Sequence, residues 1–157
     1  AVFTMPSGDM GSWRFGVTVK DMTDNLLGSV DIAVSVKMPE DVRVFSFESP
    51  VDMKKIFITL AEPSKPITGM NDLVVLAHYK ESMISFPAHK DLIIEFDPQM
   101  PSMGHGSPDN VNPVHMQYGH YQGEVNLTMP GWWQLEMTIK DNTGTILDDK
   151  HVFDINF

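Results

Sequence analysis

Hydrophobic and polar side chains alternate with a period of two along most of the chain. Trp13, Phe15, Val17 and Val19 interleave with Arg14, Gly16, Thr18 and Lys20, and Val30, Ile32, Val34 and Val36 with Ser29, Asp31, Ala33 and Ser35. Further on, Val125, Leu127 and Met129 alternate with Glu124, Asn126 and Thr128, and Trp133, Leu135, Met137 and Ile139 with Gln134, Glu136, Thr138 and Lys140. Phe153, Ile155 and Phe157 close the chain in the same rhythm. Each run predicts a strand with one buried face. Runs at 53–60, 73–79 and 92–96 add three more, bounded by Pro, Gly, Asn and Asp. No segment of helical length carries an apolar 3.6 period between caps. Short strands separated by turn residues predict an all-β fold, an antiparallel β-sandwich. Its core should hold Trp133, Leu135, Met137, Ile139, Val125, Leu127, Leu92, Ile94 and Phe96.

The pattern occurs twice. Thr4-Met5-Pro6 matches Thr128-Met129-Pro130, and the run Trp13 to Lys20-Asp21 matches Trp133 to Lys140-Asp141. A polar turn and a closing strand follow each copy. Residues 1–36 therefore read as the C-terminal strands of a truncated first β-sandwich repeat, a partial second sandwich at the N-terminus. Residues 37–52 read as a linker with a possible strand at 42–47, and residues 53–157 as the complete domain. Three strands facing inward through Trp13, Phe15, Val30 and Ile32 would form a large apolar patch if left bare. Either a strand from 37–52 closes it, or two copies pair as a homodimer through residues 1–36, which is the expectation. The missing strands are expected upstream of Ala1.

Composition narrows the function. The 157 residues carry 11 Lys and Arg against 21 Asp and Glu, a net charge of −10. Such a surface repels phosphate, so nucleic acid and anionic membrane are not expected partners. No apolar run approaches the roughly 20 residues of a spanning helix. Cys is absent, which removes disulfides, thiolate catalysis and cysteine metal sites, whereas Met is abundant at 12. A Cys-free, Met-rich chain without an initiator Met suits a processed, extracytoplasmic protein.

Residues 98–123 break the alternation and read as a long loop, of the kind that is usually functional or disordered. Between positions 100 and 120 it holds Met100, Met103, His105, His115, Met116 and His120, with no Lys or Arg and one acid, Asp109. Thioether sulfur and neutral imidazole are soft donors that suit Cu(I), and the near absence of carboxylate disfavours Ca²⁺ and Mg²⁺. Gly104 and Gly106 allow the backbone to turn around His105. Trp132 is the more available of two adjacent rings to cover an ion, because the alternation turns Trp133 inward. The expectation is that Met100, Met103 and His105, joined by some of His115, Met116 and His120, approach one point at an end of the sandwich. The other reading makes Met100 and Met103 plugs sealing that end, with His105 pinning the loop to backbone carbonyls.

Three strings carry a family resemblance: Met100-Pro-Ser-Met-Gly-His-Gly106, Gly119-His-Tyr-Gln-Gly123, and Leu127-Thr-Met-Pro-Gly-Trp-Trp133. With the upstream Leu60-Ala-Glu-Pro and Ile67-Thr-Gly-Met-Asn-Asp-Leu73, the chain over residues 53–157 resembles the YtkA-like/FixH-like family. The resemblance implies an immunoglobulin-like sandwich, extracytoplasmic (periplasmic or cell-envelope) and often membrane-tethered. It also implies a role in copper delivery, export or oxidase assembly with an extracytoplasmic protein partner. Met100, Met103 and His105 would be its metal ligands. A copper module of this kind needs capture and release, so no enzymatic activity is expected. The alternative is a metal-free structural or protein-interaction domain. A sugar-binding face using Trp132, Trp133 and Tyr121 ranks third. Asn126-Leu-Thr128 matches a glycosylation acceptor but falls in a predicted strand.

Overall fold

The computed structural model describes residues 13–36 and 41–157. Every regular element among them is a β-strand, and every pairing is antiparallel. The chain divides into two compact units, 1–40 and 41–157, each described by itself.

The smaller unit contributes a hairpin of β1 (Trp13–Lys20) and β2 (Leu27–Val34). Its register sets Trp13 opposite Val34, Phe15 opposite Ile32 and Val17 opposite Val30, so the predicted apolar residues share one face. Phe15, Val30 and Ile32 are about half exposed on it. The first predicted strand, around Thr4-Met5-Pro6, lies outside the described residues.

The larger unit stacks two sheets. One runs β3 (Val44–Glu48), β4 (Lys55–Glu62), β5 (Gly69–Tyr79), β9 (His120–Leu127) and β8 (Val111–Gln117). The other centres on β10 (Trp132–Asp141). One edge of β10 takes β11 (Ile146–Asp148) and β12 (Val152–Asn156); the other takes β6 (Leu92–Met100) and then β7 (His105–Gly106). Alternation does what period two requires. Ile56, Ile58, Leu60, Leu73, Val75, Ala77, Tyr121, Val125 and Leu127 face Ile94, Trp133, Leu135, Met137, Ile139, Phe153 and Ile155 across one dry core. Of the predicted core, only Phe96 is partly rather than fully buried. The stretch read as a linker supplies β3, two residues from the expected position and paired to β4.

One departure from the sequence reading matters for the site: 98–123 is not a loop. β6 continues through Pro98 to Met100, and β8 and β9 occupy most of the remainder. Phe96 N–H points away from β10 and is taken by Asn112 Oδ1 at 3.2 Å. Pro98, two residues on, turns its nitrogen to the same side, so no bond to β10 is lost and the strand runs on. Pro113 sits in edge strand β8, where the ladder to β9 is bulged. The repeated motif has a matching local geometry in each unit, in keeping with the sequence reading. Asp21 Oδ1 accepts the Thr23 N–H at 2.7 Å, and Asp141 Oδ1 accepts the Thr143 N–H at 2.9 Å. Trp133 pairs with Ile155 and Leu135 with Phe153, as Trp13 pairs with Val34 and Phe15 with Ile32.

Candidate metal site

β6 delivers Met100 to one end of the sandwich, and a tight turn returns the chain as β7. The Met103 and Gly104 N–H groups both donate to the Met100 carbonyl, at 3.0 and 2.9 Å. Gly104 takes φ 66°, the left-handed conformation that lets the turn close. The register then sets His105 directly opposite Met100. Cross-strand partners share a face, so both point toward the core side. Met100 is 3 % exposed, Met103 at the tip is 61 % exposed, and His105 lies between.

His105 is ordered by two contacts. Its Nδ1 stands 2.9 Å from the Gly106 carbonyl oxygen. A carbonyl only accepts, so the contact places the proton on Nδ1 and leaves Nε2 of the neutral ring with its lone pair. The ring also stands edge-on to Trp133, centroids 6.0 Å apart at 71°. Trp133 is fully buried and donates Nε1–H to the Met129 carbonyl at 3.0 Å.

The expected ring was Trp132, and here the geometry differs. Trp132 occupies the opposite face of β10, 44 % exposed, with its Nε1–H on Asp154 Oδ1 at 2.8 Å. Adjacent strand residues face opposite ways, so Trp133 is the indole beside His105. The same burial removes the sugar-binding reading, since Trp133 and Tyr121 present no face to solvent.

The six Met and His residues fall into two groups. His115, Met116 and His120 lie at the β8–β9 turn, where His115 pairs with Tyr121 and its ring sits 5.1 Å from the phenol ring. The Tyr121 hydroxyl receives the Leu92 N–H at 3.1 Å and donates to the His89 carbonyl at 3.0 Å. That anchors this group at the first residue of β6, whereas Met100 is its last. Eight residues of strand amount to about 27 Å. His115 Nε2 already accepts the Gly119 N–H at 3.4 Å, and Met116 is largely exposed. At this end burial pushes the Tyr121 phenol up, and it pushes the His89 and His78 imidazoles down.

Among the described residues no three His, Asp or Glu side chains gather as a metal site. A metal at the Trp133 end therefore needs thioether ligands, and the donors there, His105 Nε2 with Met103 and Met100, fit a soft monovalent ion. The Asn126 amide of the glycosylation-acceptor match donates to the Pro108 carbonyl at 3.2 Å.

The family described as YtkA-like matches residues 51–138, which is more than half of the 157 residues. The chain belongs to the YtkA-like family. The match takes in β4 through β9 and most of β10, and so includes the whole Met100–His105 turn of the YtkA-like domain. Comparison with curated proteins and with solved structures found no match.

Sequence reasoning missed the structural role of two residues here. Tyr121 bridges the two sheets from within the core, and Gly131 permits the close approach of the 127–132 connection to Met100. An added Cβ on Gly131 would lie 2.7 Å from Met100 Cε. Glycine after Pro130 was visible as a turn signal; its partner across the sandwich was not.

Proposed function

We propose that this YtkA-like domain is an extracytoplasmic Cu(I)-binding module that hands the ion to a protein partner and catalyses no reaction. The observation that carries the reading is the Met103–His105 pair. An exposed thioether and an imidazole with its Nε2 lone pair uncommitted stand two residues apart on a turn braced against a buried tryptophan. Neutral sulfur and nitrogen donors hold Cu(I) without a proton being displaced, so capture and release need only ligand exchange. Met103, at the tip, is placed where a partner's ligand can replace it.

Anaerobic isothermal titration with Cu(I) tests the proposal. The wild type should take up one equivalent, and the double variant Met103→Ala, His105→Ala should take up none while melting within a few degrees of wild type. A wild type that binds no copper refutes it.

One observation favours a second reading, the structural cap. Met100 is buried with its methyl against Gly131, as a sealing residue would be. On that reading the domain binds a protein rather than a metal, and the double variant loses stability instead of an ion.

A further inference from the structure

The wall facing the Met100–His105 turn is the connection from β9 to β10, and it carries a methionine. Met129 is half-buried and packs against the core, continuing the inward set of Val125 and Leu127. Its carbonyl receives the Trp133 indole N–H at 3.0 Å, while the His105 ring stands on the same indole at 6.0 Å. Two residues beyond Met129, Gly131 adopts φ 134° and donates its N–H to the Phe157 carbonyl at 3.0 Å. A Cβ on Gly131 would lie 2.7 Å from the Met100 methyl, so a side chain there would have to push that methyl aside. The segments 100–105 and 129–133 are thus pressed together with Trp133 between them. Met129 and His105 therefore both adjoin Trp133, one through its carbonyl and the other through its ring, and Met100 meets the same connection at Gly131.

We infer that Met129 supplies a further thioether to the Cu(I) site, an inference that rests on the copper-binding reading above. With Met100 almost wholly buried, Met103 and His105 offer two accessible donors. A soft monovalent ion held by two donors at a solvent-exposed turn would be readily lost to competing thiols. Met129, on the opposite wall and partly accessible, raises the soft donor set without bringing in a charge. Its placement also gives Thr128-Met129-Pro130 a use beyond ending β9. Pro130 and Gly131 shape the connection that holds Met129 beside Trp133.

The test uses the full chain and a chromogenic Cu(I) chelator as competitor, under anaerobic conditions. Met129→Leu keeps the apolar volume, and Met83→Leu, on a remote exposed loop, is the control. Met129→Leu should lower Cu(I) affinity at least tenfold and remove one sulfur neighbour from the copper X-ray absorption spectrum. Met83→Leu should change neither. In wild type labelled at the Met methyl carbons, the Met129 and Met103 methyl resonances should shift with Cu(I) while Met83 stays still; this readout stands even if Met129→Leu folds poorly. If the wild type binds Cu(I) while the Met129 methyl does not move and Met129→Leu binds as tightly, the inference fails and the Met103–His105 reading survives. If the wild type binds no Cu(I), both fall together.

Discussion

His105 stands edge-on to Trp133, their centroids 6.0 Å apart, and this contact ties an imidazole at that end of the sandwich to the largest fully buried side chain. The position of the imidazole is therefore set by packing deep in the fold rather than by the turn alone. Trp133→Phe should keep the domain folded but loosen His105. A smaller ring in a dry core costs about 1–3 kcal/mol, visible as a lower urea midpoint. The His105 ring resonances should broaden or move in the same variant. Unchanged His105 resonances would show that the turn positions the ring by itself.

Gly131 and Gly144 separate two costs of adding a methyl group. Both adopt positive φ, 134° and 89°, but a Cβ on Gly131 meets Met100 Cε at 2.7 Å, whereas nothing lies within 4 Å of one on Gly144. Gly144→Ala should cost about 1 kcal/mol of backbone strain. Gly131→Ala should cost more, about 2–4 kcal/mol, because φ 134° is harder for an L side chain than 89° and the buried Met100 methyl must also shift. Chemical denaturation of the two variants measures the difference; equal losses would contradict both the added strain at φ 134° and the cost of moving Met100.

The Tyr121 hydroxyl joins Leu92 N–H to His89 C=O inside the fold. Tyr121→Phe keeps the ring and removes both bonds, leaving a buried donor and an acceptor unpaired. A loss of about 1–3 kcal/mol is expected, with copper uptake at the far end unaffected.

Acid should weaken the fold in two stages. Burial depresses the His89 and His78 imidazoles below the ordinary 6.5. The folded state then binds fewer protons than the unfolded one, and stability falls as pH drops below about 6.5. Asp52, beside the Ser49 hydroxyl and paired with Lys54 Nζ at 2.9 Å, is held at about 2 rather than 3.8. Its contribution is present above 3.8 and is lost as pH falls from there toward 2. Melting temperature followed from pH 8 to pH 2 should decline across both windows, the second being small because Asp52 is exposed.

The strands were legible because period two is a property of short sequence, and the core pairs Trp133–Ile155 and Leu135–Phe153 follow from it once strands pair. The candidate site was legible in composition but not in space. Met100 and His120 are close in sequence, yet β6 ends at one pole while β8 and β9 meet at the other. Pro98 and Pro113 disguised these strands, and their tolerance depends on which side each nitrogen faces, a matter of pairing rather than of local pattern. Choosing between Trp132 and Trp133 needed only the alternation. Which ring His105 would touch depended on the Met100–His105 register.

The most direct test of the central claim reads the histidines one by one. Two-bond ¹H–¹⁵N spectra of the imidazoles, recorded on the full chain before and after one equivalent of Cu(I) without oxygen, report each Nε2 separately. The account predicts a large shift of His105 Nε2, while His115 and His120, at the opposite end of the sandwich, stay where they were. A spectrum in which His105 does not move, or in which His115 and His120 move in its place, would contradict it.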